Sequence, residues 1–202
     1  MELRFSPQVA EHGQHAAVVA LVRRQAYRFL APRLAQAGYR VASADLRGHG
    51  ESSMGWKSVT GTDAISRTDV AGDLLALIRH LGGPAVIVGH SISGGAATIA
   101  AAMEPELVSG IVEINPFTRT QKLSLGGLVR IRRYRRGLSL LMGTLDPDFA
   151  DPRAEGDAIV AAMPPGLGTV AMVNGAGHYP HAQCPDEVAA LMMPFLKEHA
   201  GA

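Results

Sequence analysis

Apolar residues fall into two alternating rhythms along this chain: short continuous runs bounded by Gly, Pro and polar turns, and longer stretches in which they return every three or four positions. The first rhythm marks strands covered on both faces, the second helices with one buried stripe. Runs at 4–10, 17–22, 40–44, 85–88, 110–114, 138–142 and 169–173 predict strands, and stretches at 25–37, 66–81, 94–103, 153–163 and 186–199 predict helices. Ala85-Val86-Ile87-Val88, set off by Gly82-Gly83-Pro84, is the clearest strand. Val70, Leu74, Leu77, Ile78 and Leu81 draw the clearest helical face. Such alternation predicts a three-layer α/β/α sandwich around a mostly parallel sheet. The link Glu11-His12-Gly13-Gln14-His15 predicts an N-terminal antiparallel hairpin between the first two strands.

No repeat or low-complexity linker divides the chain, and 202 residues fit a single domain spanning 1–202. With 47% hydrophobic and 18% charged residues it can bury a full core, which excludes a disordered chain. The formal charge of +1 gives no global field to select a polyanionic partner, so nucleic-acid binding is not expected. One cysteine, Cys184, excludes an internal disulfide and a multi-cysteine metal cage. The first 14 residues hold no apolar h-region, and no run approaches the ~20 apolar residues of a membrane span. The expectation is a soluble, cytoplasmic protein acting on a small molecule, without a membrane partner.

The chemistry concentrates at Gly89-His90-Ser91-Ile92-Ser93-Gly94-Gly95, where a buried strand gives way to a helix. So abrupt a turn strains the residue at its apex and needs small flanking residues, which Gly89, Ser93 and Gly94 supply. The helix that follows points its N–H groups, that of Ile92 foremost, at developing negative charge. A serine hydroxyl needs a base, and the base needs a third group to fix its tautomer. Asp146 in Gly143-Thr144-Leu145-Asp146-Pro147 and His178 in Ala176-Gly177-His178-Tyr179-Pro180 each follow a predicted strand, at the sheet edge where ligands bind. Asp148, Asp151 and Glu113 are rival acids, and His181 is a rival base expected at the surface. His90 and His49 flank backbone turns and are expected to pack or to hydrogen-bond behind the site. No spacing of histidines or carboxylates suits a metal, and no glycine-rich phosphate loop occurs, so neither metal nor cofactor is expected.

These motifs resemble the α/β-hydrolase-fold serine hydrolases over nearly the whole chain. Gly89-His90-Ser91 resembles that family's nucleophile elbow, Asp45-Leu46-Arg47-Gly48-His49-Gly50-Glu51-Ser52 an earlier loop, and Gly177-His178 with Phe195-Leu196 its C-terminal ending. The resemblance implies an esterase-like enzyme with Ser91 as nucleophile, His178 as general base and Asp146 as orienting acid. The substrate would be a small carboxylic ester, thioester or lactone. Perhydrolysis uses the same three residues, and a non-catalytic small-molecule or protein-binding module is the alternative reading. Ser93, where glycine is commoner, is similar to the branch holding stress-response regulators and butenolide-hormone receptors.

Two departures qualify the resemblance. The usual His-Gly oxyanion loop does not follow the strand at 17–22; His12-Gly13 lies instead in the predicted hairpin. Residues 117–137 leave room for a minimal cap of about one helix, and Arg130, Arg132, Arg133, Arg135 and Arg136 in it read as a solvated face rather than a nucleic-acid patch.

Overall fold

A computed structural model describes residues 5–8, 15–22, 24–61, 64–117 and 136–200. Its sheet has seven strands: β1 (Phe5–Gln8), β2 (His15–Val22), β3 (Tyr39–Asp45), β4 (Ala85–His90), β5 (Val108–Ile114), β6 (Leu138–Gly143) and β7 (Gly168–Val173). They lie in the order β1-β3-β2-β4-β5-β6-β7, with every neighbouring pair parallel except β1 with β3. A 3-10 turn (Arg24–Tyr27) and helices α1 (Leu30–Gln36), α2 (Arg67–Leu81), α3 (Ile92–Met103), α4 (Pro152–Ala161), α5 (Pro180–Gln183) and α6 (Pro185–His199) complete it. Among the described residues no helix is long and apolar enough to cross a membrane.

Side chains alternate across each strand, so successive residues of β4 enter different layers. Ala85 and Ile87 join the core beneath α2, α3 and α4, with Leu74, Ile78, Ala97 and Leu140. Val86 and Val88 join the opposite core beneath α1 and α6, with Leu34, Val112, Leu141, Met192 and Leu196. Both faces are therefore dry, which is why the strands read as unbroken apolar runs and why the three-layer expectation holds.

The N-terminal hairpin does not form. β1 is antiparallel as expected, but its partner is β3, with Phe5 opposite Ala44 and Gln8 opposite Val41. Both edges of β2 are taken by the parallel strands β3 and β4, so β1 is left with the outer edge of the sheet. Pro7 suits that place, because a residue without an N–H is tolerated on an edge strand. His12-Gly13 and four of the five arginines of the 130–136 run lie outside the described residues, as does most of the expected cap at 117–137.

α2 opens with a reciprocal cap, in which the Ser66 side chain accepts from the Asp69 N–H and the Asp69 carboxylate accepts from the Ser66 N–H. It ends at Gly82, whose φ of 88° suits a left-handed C-cap. Asp69 also belongs to a buried cluster. Arg47 reaches Asp69 at 3.2 Å and Asp73 at 2.6 Å, and Ser58 donates to Asp69 at 2.5 Å. Burial works against the charge on Asp69, but bonds from Ser58, Ser66 and the Val59 N–H hold its carboxyl well below the usual range. For Asp73 burial wins over Arg47 and raises the value. Arg47 thus ties the loop after β3 to α2. Replacing Arg47 by Ala leaves the buried Asp73 carboxylate without its partner and should cost about 3–5 kcal/mol of unfolding free energy in urea titration, whereas cutting the exposed Arg153–Asp157 pair should move the midpoint far less.

Candidate active site

The ends of β4, β5, β6 and β7 converge on one edge of the sheet, and four segments meet there. Ser91 sits between β4 and α3 with φ 54° and ψ −120°. A side chain in that region is strained and survives only where its surroundings impose it. Here they do. A Cβ on Gly89 would lie 2.5 Å from the Ser93 carbonyl oxygen, and one on Gly94 would lie 2.6 Å from Pro116 Cβ, so α3 can approach β4 and β5 only through glycines. Ser93 closes the turn from inside: its hydroxyl donates to the His90 carbonyl at 2.8 Å and accepts from the His90 N–H at 2.9 Å. Glycine could do neither. The Ser91 N–H is bound to the Ile114 carbonyl at 3.1 Å, while Ile92 begins α3 with its N–H at the helix N-terminus.

Asp146 is buried in the turn after β6, and its Oδ2 accepts from His178 Nδ1 at 2.8 Å. A carboxylate accepts, so His178 carries a proton on Nδ1. The other Asp146 oxygen accepts from the Asp148 N–H at 3.0 Å. The carboxylate of Asp148, a rival acid, stands 3.3 Å from the same Nδ1, farther than Asp146 at 2.8 Å. Glu113 and Asp151 are engaged elsewhere. Glu113 accepts from Thr98 at 2.6 Å and Asp151 caps α4 through the Ala154 N–H at 2.9 Å. Asp146, Asp148 and His178 offer ligand atoms within 4.8 Å of one another, the closest approach to a metal cluster among the described residues, although Nδ1 is already committed to Asp146.

Two buried side chains hold the histidine loop to the sheet. Asn115, at the end of β5 with φ 42°, donates from Nδ2 to the Gly177 carbonyl at 2.9 Å and accepts at Oδ1 from the Gly143 N–H at 2.8 Å. His90 faces the next carbonyl, that of His178, at 2.6 Å. A carbonyl only accepts, so the His90 proton is on Nε2. Burial pushes the His90 pKa down to about 4, against a smaller upward pull from that carbonyl. Phe117 bridges the two halves of the site, with its N–H toward the Ser91 carbonyl at 3.4 Å and its ring 5.7 Å from the His178 ring. Among the described residues no hydrogen bond joins the Ser91 hydroxyl to His178. Bonds of that kind often tighten only with substrate in place.

A family model for the alpha/beta hydrolase fold matches residues 20–136. The chain belongs to the alpha/beta hydrolase fold family. Among solved structures this hydrolase-fold chain resembles a monoacylglycerol lipase from Paleococcus ferrophilus (16% identical, TM-score 0.77, covering 99% of this chain and 100% of that one). It also resembles a thermophilic esterase from Thermogutta terrifontis (19%, TM-score 0.75, covering 98% and 94%). At those identities the likeness shows the fold alone. In sequence it is similar to a 2-(acetamidomethylene)succinate hydrolase from Mesorhizobium japonicum, 39% identical over 88 residues, which are 42% of this chain and 30% of the relative. Lipase LipV from Mycobacterium tuberculosis is 34% identical over 113 residues, 55% of this chain and 36% of the relative. The chain thus spans about a third of the length of these curated relatives.

His181 corrects the sequence expectation. It is fully buried, not at the surface. The short helix α5 turns it inward, where it stacks on Tyr27 at 4.8 Å and lies 4.7 Å from His90. Both its ring nitrogens lack partners among the described residues. Burial, with His90 and His178 nearby, lowers its pKa to about 3. Two histidines therefore fold neutral but would charge when unfolded below their ordinary value near 6.5. The unfolded state then binds more protons, so their contribution is full above pH ~6.5 and is lost as pH falls toward 4 and 3. Denaturation midpoints should drop across that window, and His181→Phe should flatten the slope by roughly one proton's worth.

Proposed function

We propose that this chain is a serine hydrolase that cleaves a small carboxylic ester, thioester or lactone through an acyl-enzyme. The observation that carries the reading is the His178–Asp146 pair, its tautomer fixed, on the same sheet edge as a serine held in strained backbone. In this mechanism Ser91 Oγ attacks the carbonyl carbon as His178 Nε2 takes its proton. Asp146 stabilises the imidazolium, with Asp148 beside it. The Ile92 N–H receives the oxyanion at the positive end of α3. Collapse expels the alcohol, thiol or ring oxygen, which takes the proton from His178. Water then repeats the sequence on the acyl-Ser91 ester and releases the acid. None of these steps calls on a cofactor or metal.

Support from the family is consistent with this chemistry, since several of its similar members are described as esterases, lipases and hydrolases. A fluorophosphonate probe should label Ser91, and a short p-nitrophenyl ester should be turned over. Ser91→Ala should abolish labelling and lower kcat by roughly 10⁴–10⁶. Turnover that survives that substitution sinks the proposal. Labelling and turnover both absent from the native chain, with small esters still raising its melting temperature, would favour the binding-module reading. Asn115 acts through its neighbours. Asn115→Ala should lower kcat about 10–100-fold with KM nearly unchanged, because it loosens the loop that aims His178 without touching the substrate.

A further inference from the structure

Asp146 opens a tight turn, Asp146-Pro147-Asp148-Phe149, that brings a second carboxylate to the same histidine. Asp at the first position and Pro at the second suit such a turn. Two bonds close it: the Phe149 N–H donates to the Asp146 carbonyl at 3.4 Å, and the Asp148 N–H donates to Asp146 Oδ1 at 3.0 Å. The place of Asp148 is therefore set by Asp146 itself. Asp148 Oδ2 stands 3.3 Å from His178 Nδ1, against 2.8 Å for Asp146 Oδ2, and the two carboxylates and Nδ1 lie within 4.8 Å of one another. One N–H thus faces two charged acceptors.

The two acids differ in their surroundings. The Asp146 side chain is fully buried with both oxygens engaged, whereas that of Asp148 is 44% exposed. Exposure lets Asp148 keep its charge at little cost in hydration. Two carboxylates this close repel each other, and a cation beside both relieves them. A neutral ring gains little from the second charge, while an imidazolium gains from both. Stabilisation that grows only as charge forms is the kind that speeds a chemical step. The other titratable rings against His178 are His90 at 4.6 Å and Tyr179 at 5.2 Å, and neither supplies negative charge at neutral pH.

We propose that Asp148 is a second positioning residue for His178, which shares the Nδ1 proton with Asp146 and takes it over when Asp146 is replaced. The proposal rests on the serine-hydrolase reading for its effect on turnover but not for the shared hydrogen bond. The acyl transfer itself is unchanged, because Asp148 acts only through His178.

A double-mutant cycle tests it. Asp148→Asn removes the charge and keeps the backbone N–H that Asp146 accepts. In the native chain it should lower kcat about threefold with KM unchanged. Asp146→Asn should lower kcat only about 100-fold, well short of the ~10⁴ that follows loss of an orienting acid with no second carboxylate at hand. The double variant should fall to that ~10⁴ level. Asp148→Asn then costs about threefold in one background and about 100-fold in the other. A merely structural role would cost the same in both, and that result overturns the proposal. The low-field proton resonance of His178 Nδ1–H, assigned by its loss from His178→Gln, supplies a readout free of turnover. It should shift in Asp148→Asn, persist in Asp146→Asn and vanish from the double variant. A resonance unmoved by Asp148→Asn, or lost from Asp146→Asn alone, overturns the proposal. Should Asp146→Asn fail to fold, the shift and the kcat of Asp148→Asn decide by themselves. If the native chain neither takes the fluorophosphonate probe nor hydrolyses an ester, the serine-hydrolase reading fails separately, and the resonance still decides the shared bond.

Discussion

Everything at this sheet edge depends on how closely α3 lies against β4 and β5. Gly89 and Gly94 have no room for a methyl group, and that contact is what forces the chain through the left-handed conformation at Ser91. The strain is local, but its support is spread widely. The Ser93 hydroxyl locks the turn, the Ile114 carbonyl holds the Ser91 N–H, and the alanine-rich face of α3 sits in the dry core. A larger residue at any of these points would be accommodated by moving the helix, and the hydroxyl would move with it. The small residues of the elbow are thus a packing requirement first, from which the chemical one follows.

The partner side of the site is built on hydrogen-bond geometry instead of packing. The histidine loop offers two successive carbonyls, and each is met by a buried side chain from a different strand. This arrangement needs a proton on His90 Nε2 to meet the carbonyl, while burial keeps the ring from gaining a second one. The same loop is also fastened from the acid side. The Leu145 N–H donates to the Ala176 carbonyl at 2.9 Å and the Gly175 N–H to the Thr144 hydroxyl at 2.9 Å. Asp146 and His178 therefore move as a unit, and their 2.8 Å contact is a consequence of the loops being joined as much as of attraction between the groups.

The layers and most strands were legible in the sequence because a strand covered on both faces must be apolar throughout, and those runs are unambiguous. The placement of Ser91, Asp146 and His178 at one sheet edge was legible because each follows such a run. What escaped was decided by three-dimensional competition. The partner of β1 depended on β2 having both edges occupied, which no local pattern records. The burial of His181 also escaped, because it comes from packing on Tyr27, 154 positions away by numbering, which no local pattern records. Asn115 left one faint trace, a residue tolerant of the left-handed region at a strand end, and nothing to say that its amide would bridge two loops.

The bridge made by Asn115 has a kinetic meaning as well. Its two bonds join the end of β5 to Gly143 and to Gly177, spanning 28 and 62 positions. Contacts of such separation form late, because the loops they close must first lose their freedom. A chain with its central strands paired but β7 still undocked would have its elbow and no aimed histidine. On the proposed mechanism, reactivity at Ser91 would therefore belong to the finished fold alone, and partly folded forms of this protein would be chemically silent.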